Sequence, residues 1–511
     1  MAARGETPGP KPEEQEVNQE KKESEPRITL EETEKGEVWE IPTEVNDISE
    51  ISLSPNGQKQ LMVTKLEGGG TSVFVDFQKG PVYRTVEDVS WSANSDSIVY
   101  IAKKYPTEAD DDLPENAETE KYLSKGSVVV FNGQEIDSGV SFRAAAVRSD
   151  GKKCAYVRVY DNGLQRPVVD GEERRGYPTV FDYDKTSYSS DNQKIAFEVG
   201  APSNPRMNPN SSDNIFVKLG VYSDETRDHI SNISFVLNNK TNAQFSPDGR
   251  HYFCVGLDSD TVRPAVYRDD ELLVSGEQGY YADLSVAPDS NSFACVHYLV
   301  ENEKNDLEFY IAMADNTDPK KVKEQHSARL VINGQERGES IHADISSPVW
   351  SPDSTKVAAL VYDKISSEEN QDKELTRVKV IEYKASDNSE LDGKEYDHVS
   401  HQTYSLDGKH LAYFASDLEG DFFLVVDNEE LHLYDEDRIK ASQDPESQNR
   451  PIDLRFEAKK NDKGEEVTEL KVTMMIDREV ITRVFNIIGM SESLVRKWQQ
   501  EGEEGLFEYE G

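Results

Sequence analysis

Residues 244–255 read QFSPDGRHYFCV, a short strand-forming segment, a Ser-Pro-Asp-Gly turn and a second, strongly apolar segment. Proline suits the first central position of a tight turn, and Asp-Gly supplies the left-handed backbone that such a turn needs. The stretch therefore predicts two antiparallel strands joined by a tight turn at Pro247 and Asp248.

The same pattern recurs along the chain of 511 residues, from SLSPNGQKQLMV near the start to TYSLDGKHLAYF around residue 407. Successive copies are 38 to 64 residues apart, a period typical of solenoids and propellers. The β-rich composition, without a 3.6-residue period, favours the propeller. The turn acid or amide of the eight copies falls at Asn56, Asn94, Asp150, Asp191, Asp248, Asp289, Asp353 and Asp407.

The strand after each turn is apolar on both faces, so we expect it to be buried on both sides, as when propeller blades pack face to face. A second hairpin with Asn-Gly or Asp-Gly, as in VVFNGQEI and VVDGEERRGY, ends most units, so each unit predicts four strands and one blade. One column of the strand contains five alanines, which indicates a tight contact between blades: Leu61, Val99, Ala155, Ala196, Phe253, Ala294, Ala358 and Ala412.

The predicted fold class is all-β, a single β-propeller of about eight four-stranded blades over residues 37–450, with seven blades as the alternative. Residues 1–36, rich in Glu, Lys and Pro, predict a disordered acidic tail. Residues 451–511 predict a β-hairpin and a short helix, SESLVRKWQQ. This C-terminal segment pairs with the N-terminal strand EVWEI, caps the body or forms a ninth blade, and the sequence leaves these alternatives open.

The S-P-D-G turn with its apolar strand, followed by V-V-D-G-E, resembles the WD40-like (PD40-type) repeat of TolB-type propellers over about residues 45–435. Similar repeats form the propellers of tricorn protease and of prolyl-oligopeptidase-type enzymes. The resemblance implies the propeller fold and no particular function. The Gly-His and Trp-Asp dipeptides of true WD40 repeats do not occur, and neither does the export signal of secreted TolB.

The chain carries 99 acidic and 57 basic residues, for a formal net charge of −42. Such a surface repels phosphate backbones and anionic lipid, so we expect no nucleic-acid and no membrane partner. Three cysteines, Cys154, Cys254 and Cys295, are too few for a disulfide framework and fit inert core thiols. With no secretory signal at the start, the expected location is a reducing compartment, the cytoplasm.

No G-x-S-x-G elbow, P-loop, H-E-x-x-H or Rossmann glycine run occurs, so no catalytic, cofactor or metal residue is assigned and no enzyme activity is expected. His398 and His401 have metal-like spacing, but an ordinary loop between blades is the simpler interpretation. Two acidic groups do not match the twelve-residue calcium loop: Asp110 to Asp112, and Asp417 with Asp421.

Four long inserts separate the second and third strands of units two, four, six and seven. Loops at equivalent positions of different blades emerge on the same face, and long loops on a rigid scaffold commonly carry binding. The hypothesis is a non-catalytic scaffold for protein–protein interaction, with a basic partner if charge contributes. The candidate partner-binding residues are Tyr105, Leu113 and Tyr122 in the first insert and Trp498 in the C-terminal helix.

Two other functions stay open at this point. One is an enzyme, such as a lyase or glycosidase, with a site in the central channel. The other is a regulatory propeller subunit of a separate peptidase, by analogy with propeller-fused enzymes. The sequence does not indicate an oligomeric state.

Overall fold

The computed structural model describes most of the repeat region and both of its flanks. The described residues are 29–34, 38–105, 126–177, 179–181, 187–200, 216–223, 229–230, 235–236, 243–257, 263–276, 279–300, 326–365, 375–387, 389–417, 422–431, 450–460, 466–476 and 479–488. They contain no helix long and apolar enough to cross a membrane.

In most of the eight repeats a Ser and an Asp or Asn build the turn between the first and second strands. In residues 246–251 the hydroxyl of Ser246 donates to Asp248 Oδ1 at 2.6 Å and accepts the backbone N–H of His251 at 3.0 Å. Asp248 Oδ1 also accepts the N–H of Arg250 at 3.0 Å, and Gly249 takes a φ of +74°. The serine side chain thus satisfies backbone donors that the turn leaves open, which explains why it is buried.

The second hairpin depends on the Asp or Asn that begins its turn. Asn132 and Gly133 both have positive φ, 51° and 76°, as a two-residue turn of this hand requires. Asn132 Oδ1 accepts the backbone N–H of Ile98 at 2.9 Å, which ties this turn to the start of the second strand. The same side-chain bond recurs at four further turns: Asp76, Asp269, Asn333 and Asp427.

The described residues form nine antiparallel sheets, eight of which correspond to the eight predicted repeats. Two short strands precede them, β1 (Thr29–Glu34) and β2 (Val38–Glu40). Blade 1 is β3 (Val45–Leu53), β4 (Gln60–Leu66), β5 (Thr71–Val75) and β6 (Gln78–Tyr83). Blade 2 is β7 (Thr85–Trp91), β8 (Ile98–Lys103), β9 (Ser127–Phe131) and β10 (Gln134–Gly139). Blade 3 is β11 (Ser141–Val147), β12 (Cys154–Val159), β13 (Gln165–Val169) and β14 (Glu172–Glu173).

Blade 4, whose sequence matches the repeat least well, has its first and last strands split into two pieces. It comprises β15 (Thr179–Phe181), β16 (Ser187–Tyr188), β17 (Lys194–Gly200), β18 (Phe216–Ser223), β19 (His229–Ile230) and β20 (Phe235–Val236). Both β15 and β16 pair with β17, and both β19 and β20 pair with β18.

Blades 5 to 8 repeat the four-strand order of the first three. Blade 5 is β21 (Ala243–Phe245), β22 (Tyr252–Leu257), β23 (Pro264–Arg268) and β24 (Glu271–Ser275). Blade 6 is β25 (Tyr280–Val286), β26 (Phe293–Val300), β27 (His326–Ile332) and β28 (Gln335–His342). Blade 7 is β29 (Asp344–Trp350), β30 (Lys356–Ile365), β31 (Leu375–Lys384) and β32 (Glu390–Asp392). Blade 8 is β33 (His398–Tyr404), β34 (Leu411–Ser416), β35 (Phe422–Val426) and β36 (Glu429–Leu431).

The ninth sheet is made from both ends of the chain. It consists of β37 (Arg450–Lys460), β38 (Glu466–Ile476) and β39 (Glu479–Ile488), and β1 and β2 pair with the outer edge of β39. Of the three open alternatives, the C-terminal strands therefore form a ninth blade and also pair with the N-terminal strand. Strand β1, Thr29–Glu34, lies within the segment that the sequence predicted as a tail. The predicted C-terminal helix lies outside the described residues.

Neighbouring blades contact one another through their first strands, which are innermost. Strand β7 contacts β11, β25 contacts β29 and β29 contacts β33, while β37 contacts both β33 and β3 and closes the ring. The second strands lie between apolar clusters on both sides, as predicted. In the alanine-rich column Ala358 and Ala412 are fully buried, in clusters that join blades 7 and 8 and blades 8 and 9 respectively.

Candidate functional site

The ring has two faces that are set by strand direction. The turn face carries the turns that join the first and second strands, from Ser54–Gly57 in blade 1 to Ser405–Gly408 in blade 8. The insert face carries the connections between the second and third strands. Because every first strand is innermost and runs in the same direction, equivalent turns of all blades lie on one face.

On the turn face, hydrogen bonds link the turns of adjacent blades. The N–H of Asn56 donates to Ser95 Oγ at 2.9 Å, and Ser97 Oγ donates to the carbonyl O of Gly151 at 2.7 Å. Further bonds run from blade to blade: Ser149 N–H to Asn192 Oδ1, Ser190 Oγ to Pro247 O, Asp248 N–H to Ser290 Oγ, and Asp289 N–H to Ser354 Oγ. The turn serines and acids therefore serve the ring itself.

Between the ninth blade and blade 1, Arg455 of β37 supplies the contact with the turn of blade 1. Its Nη1 donates to the carbonyl O of Pro55 at 3.1 Å, while Nε and Nη2 are held by Asp453 at 2.6 and 2.8 Å. A Cβ on Gly57 would clash with this guanidinium, so the glycine provides both the left-handed φ of +69° and the room for Arg455. Sequence reasoning missed this contact, because about 400 residues separate Arg455 from Pro55.

The hydrogen bonds in the turns stabilise the ionised carboxylates. The hydroxyl of Ser246 lowers the pKa of Asp248 below its usual value. For Asp353 burial alone would raise the pKa, but hydrogen bonds from Ser351 and Thr355 outweigh it and lower the pKa. Carboxylates held in this way keep their charge and are poor proton donors or acceptors at neutral pH.

On the insert face, four hairpins carry the inserts. The last paired residues before each insert are Lys103 with Ser127, Gly200 with Val217, Val300 with His326, and Ile365 with Leu375. The inserts between these residues lie outside the described part of the chain. Their bases follow equivalent second strands and so share one face, which matches the arrangement predicted from the sequence.

Of the four candidate partner-binding residues, the structure describes Tyr105. Its side chain is 50% exposed at the base of the first insert. A Cβ on Gly70 would clash with both the Tyr105 hydroxyl and the side chain of Val82, so the three residues lie together. Val82 is 43% exposed and extends the apolar surface into blade 1, which sequence reasoning missed. The remaining candidates lie outside the described residues: Leu113, Tyr122 and Trp498.

The channel wall is formed by the first strands, which carry β-bulges. Non-glycine residues at these bulges take positive φ, including Asp88 at 52°, Asp283 at 52° and His401 at 57°. Asp88 Oδ2 accepts the backbone N–H of Ala144 at 2.9 Å and so joins blades 2 and 3. Bulges of this kind bend the strand and re-aim its side chains.

Among the metal ligands considered from the sequence, those that the structure describes do not form a cluster. His398 and His401 lie on β33, where His401 Nδ1 is 3.0 Å from Ser400 Oγ and burial lowers the pKa of the His401 imidazole. Within the described ranges, no three His, Cys, Asp or Glu side chains are grouped as metal ligands would be. Asp417 lies in this described part, whereas Asp110 to Asp112 and Asp421 lie outside it.

The three cysteines are free and buried, as predicted. Burial raises the pKa of the Cys154 thiol to about 12, and it also raises that of Cys295. Nucleophilic attack requires the thiolate, so thiols held neutral in this way are unreactive at neutral pH.

No protein-family model matches the chain, and no curated protein sequence matches it. Solved structures match it at low identity. One matched structure is described as the eukaryotic initiation factor and is 12% identical to this chain. The match covers 77% of this chain and 90% of that chain, with a TM-score of 0.44. The Dos1 propeller is 9% identical, with 89% and 95% covered and a TM-score of 0.38. TolB from Acinetobacter baumannii is 12% identical, with 69% and 64% covered and a TM-score of 0.27.

Tricorn protease and prolyl endopeptidases are also among the matched structures, so the proteins whose repeats this sequence resembles recur in the comparison. All these likenesses are too distant to bear on function. The β-propeller fold itself is established by the nine sheets, their common strand order and the closed ring of contacts.

Proposed function

We propose that this chain is a non-catalytic β-propeller scaffold that binds a partner protein through the insert face. The observation that supports the proposal most is the common position of the four elongated hairpins in blades 2, 4, 6 and 7. The opposite face supports it indirectly, since its serines join neighbouring blades and its carboxylates bind within their own turns. A rigid ring that presents several long loops on one side is a frequent design for protein recognition.

The composition of the first insert suggests the kind of partner. Residues 106–125 contain seven acidic and two basic residues, so their field would attract a basic surface. Tyr105 and Val82 supply an exposed apolar contact at the base of this insert. Acidic loops attract a basic partner, and an aromatic anchor beside them adds affinity. Interface energetics favour this combination.

The test compares partners recovered by affinity purification and mass spectrometry from the full chain and from two variants. In the first variant a short Gly-Ser turn replaces residues 106–125, which should spare the fold because changes in loop length cost little free energy. The second variant combines Tyr105→Ser with Val82→Ser. The matched control is Leu406→Ser, because Leu406 is 55% exposed on the turn face.

We expect both variants to lose the same partner while the control keeps it, and the binding left after removal of the insert to depend less on salt. If all four inserts are removed and every partner is still recovered, the insert face is not the binding site. Turnover of a polysaccharide or peptide by the purified chain would instead favour an enzyme with a site in the channel.

A further inference from the structure

Blade 3 differs in charge from the rest of the molecule. Residues 141–177 contain eight Lys and Arg against five Asp and Glu, whereas the whole chain has 57 against 99. A local excess of positive charge on a strongly acidic protein attracts anions while its acidic surroundings repel them.

Three arginines of blade 3 come from neighbouring segments of its sheet, and we call them the arginine row: Arg158 of β12, Arg166 of β13 and Arg175, which follows β14. Arg158 pairs directly with Arg166, so the two side chains project from the same face of the sheet. Just beyond β14 the N–H of Arg174 donates to the carbonyl O of Pro167 at 2.8 Å, so the backbone of Arg175, the next residue, lies near that of Arg166.

Two carboxylates hold part of this row. Arg158 is bound by Asp137 of blade 2 and by Glu173, whose Oε1 is 2.7 Å from its Nη1. Tyr156 also donates its hydroxyl to Asp137 at 2.7 Å, so that carboxylate is already engaged. Arg158 is therefore a structural link between blades 2 and 3.

Arg166 and Arg175 are the two members of the row that retain binding capacity. Arg166 shares Glu173 with Arg158 at 3.3 Å, stacks on the ring of Tyr160 at 5.6 Å and keeps 41% of its side chain exposed. Arg175 is exposed and forms no ion pair with any residue in the described ranges.

We propose that the arginine row is a docking surface for a carboxylate-rich segment of a partner protein. Guanidinium groups bind carboxylates through paired N–H donors, and a ring stacked under Arg166 holds one of them in place before binding. The surrounding acidic surface repels such a segment elsewhere and directs it to blade 3. This surface is independent of the acidic inserts, so it would take a partner of opposite charge to the one proposed above.

The test uses a fluorescein-labelled octaglutamate peptide and measures its anisotropy with the full chain at low salt. The variant is Arg166→Gln with Arg175→Gln. The matched control removes the same charge from the turn face by Arg250→Gln with Lys409→Gln, two side chains that are 79% and 70% exposed. We expect the first variant to bind the peptide roughly tenfold more weakly and the control to change binding less than about twofold. Thermal melting should show that both remain folded.

Three results would overturn the proposal. The first is no measurable binding of the peptide by the folded native chain. The second is an equal loss in the control, which would mean that only total charge matters. The third is concentration-dependent self-association that disappears in the Arg166 and Arg175 variant, since the acidic segment would then belong to a second copy of the chain.

Discussion

A buried amide at the closing joint of the ring predicts that a single substitution will stabilise the protein. Gln60 is 3% exposed, and neither its Oε1 nor its Nε2 has a hydrogen-bond partner in the described structure. Met62, two residues along the same face of β4, packs with Met475 and Val480 of the ninth blade. Gln60 therefore places an unpaired amide in the joint between blades 1 and 9.

The other seven blades with this turn place a side chain without an amide at the same position of the second strand: Ile98, Cys154, Ile195, Tyr252, Phe293, Val357 and Leu411. Burying an amide without a hydrogen bond costs about 1–3 kcal/mol in proteins. Methionine has nearly the shape of glutamine, so Gln60→Met removes that cost without leaving a cavity. We expect Gln60→Met to raise the free energy of unfolding by about 1–3 kcal/mol.

Urea unfolding followed by tryptophan fluorescence measures this change as a higher midpoint with an unchanged slope. Met62→Leu is the matched control, because it alters packing at the same joint without touching a polar group, and it should cost less than about 1.5 kcal/mol. A Gln60→Met protein that is no more stable than the native one would refute the reasoning. It would show that the amide is hydrogen-bonded, for instance through a buried water molecule.

Three further predictions concern packing, closure and pH. Ala358→Leu and Ala412→Leu should each destabilise by about 1–3 kcal/mol through overpacking, and unchanged melting would show that this column is not a tight contact. Deleting residues 1–28 should leave the melting temperature unchanged, whereas deleting 1–40 should lower it, because the edge of β39 loses β1 and β2. Equal melting temperatures of the two truncations would contradict a stabilising role for the pairing of β1 and β2 with β39. Stability to urea should be constant above the unfolded pKa of aspartate and fall as the pH drops through the lower folded pKa values, since protonation removes the carboxylate that the turn binds. Replacing these residues by Asn should weaken that dependence: Asp248, Asp289, Asp353 and Asp407.

Local chemistry explains why so much of the fold could be predicted. The Ser-Pro-Asp-Gly turn closes on itself through Ser246 and Asp248, and the second hairpin closes through residues such as Asn132. The residues that determine each hairpin lie within about twenty residues of one another, so the sequence pattern predicts the hairpin directly. The apolar columns of the second strand likewise specify that blades lie on both sides of it.

The full extent of the ninth blade could not be predicted from the sequence, because the strands that form it are distant from one another in the chain. The sequence predicted the strand EVWEI, which contains β2, but it placed β1 in the acidic tail, because pairing with β39 rather than its own composition makes β1 a strand. The same holds for Arg455, whose role depends on a carbonyl of blade 1.

The candidate surfaces divide in the same way. Tyr105 and the four inserts were found from the sequence, because long loops interrupt a regular repeat. Val82 and the arginine row were not found from the sequence. Arg158, Arg166 and Arg175 have acidic residues between them in the chain and form no pattern there. Strand pairing brings Arg158 and Arg166 together on one face. The sequence by itself therefore determined what short-range hydrogen bonds and side-chain periodicity can specify. The tertiary structure decided which distant residues share an edge, a joint or a patch of charge, since those contacts form only when the ring closes.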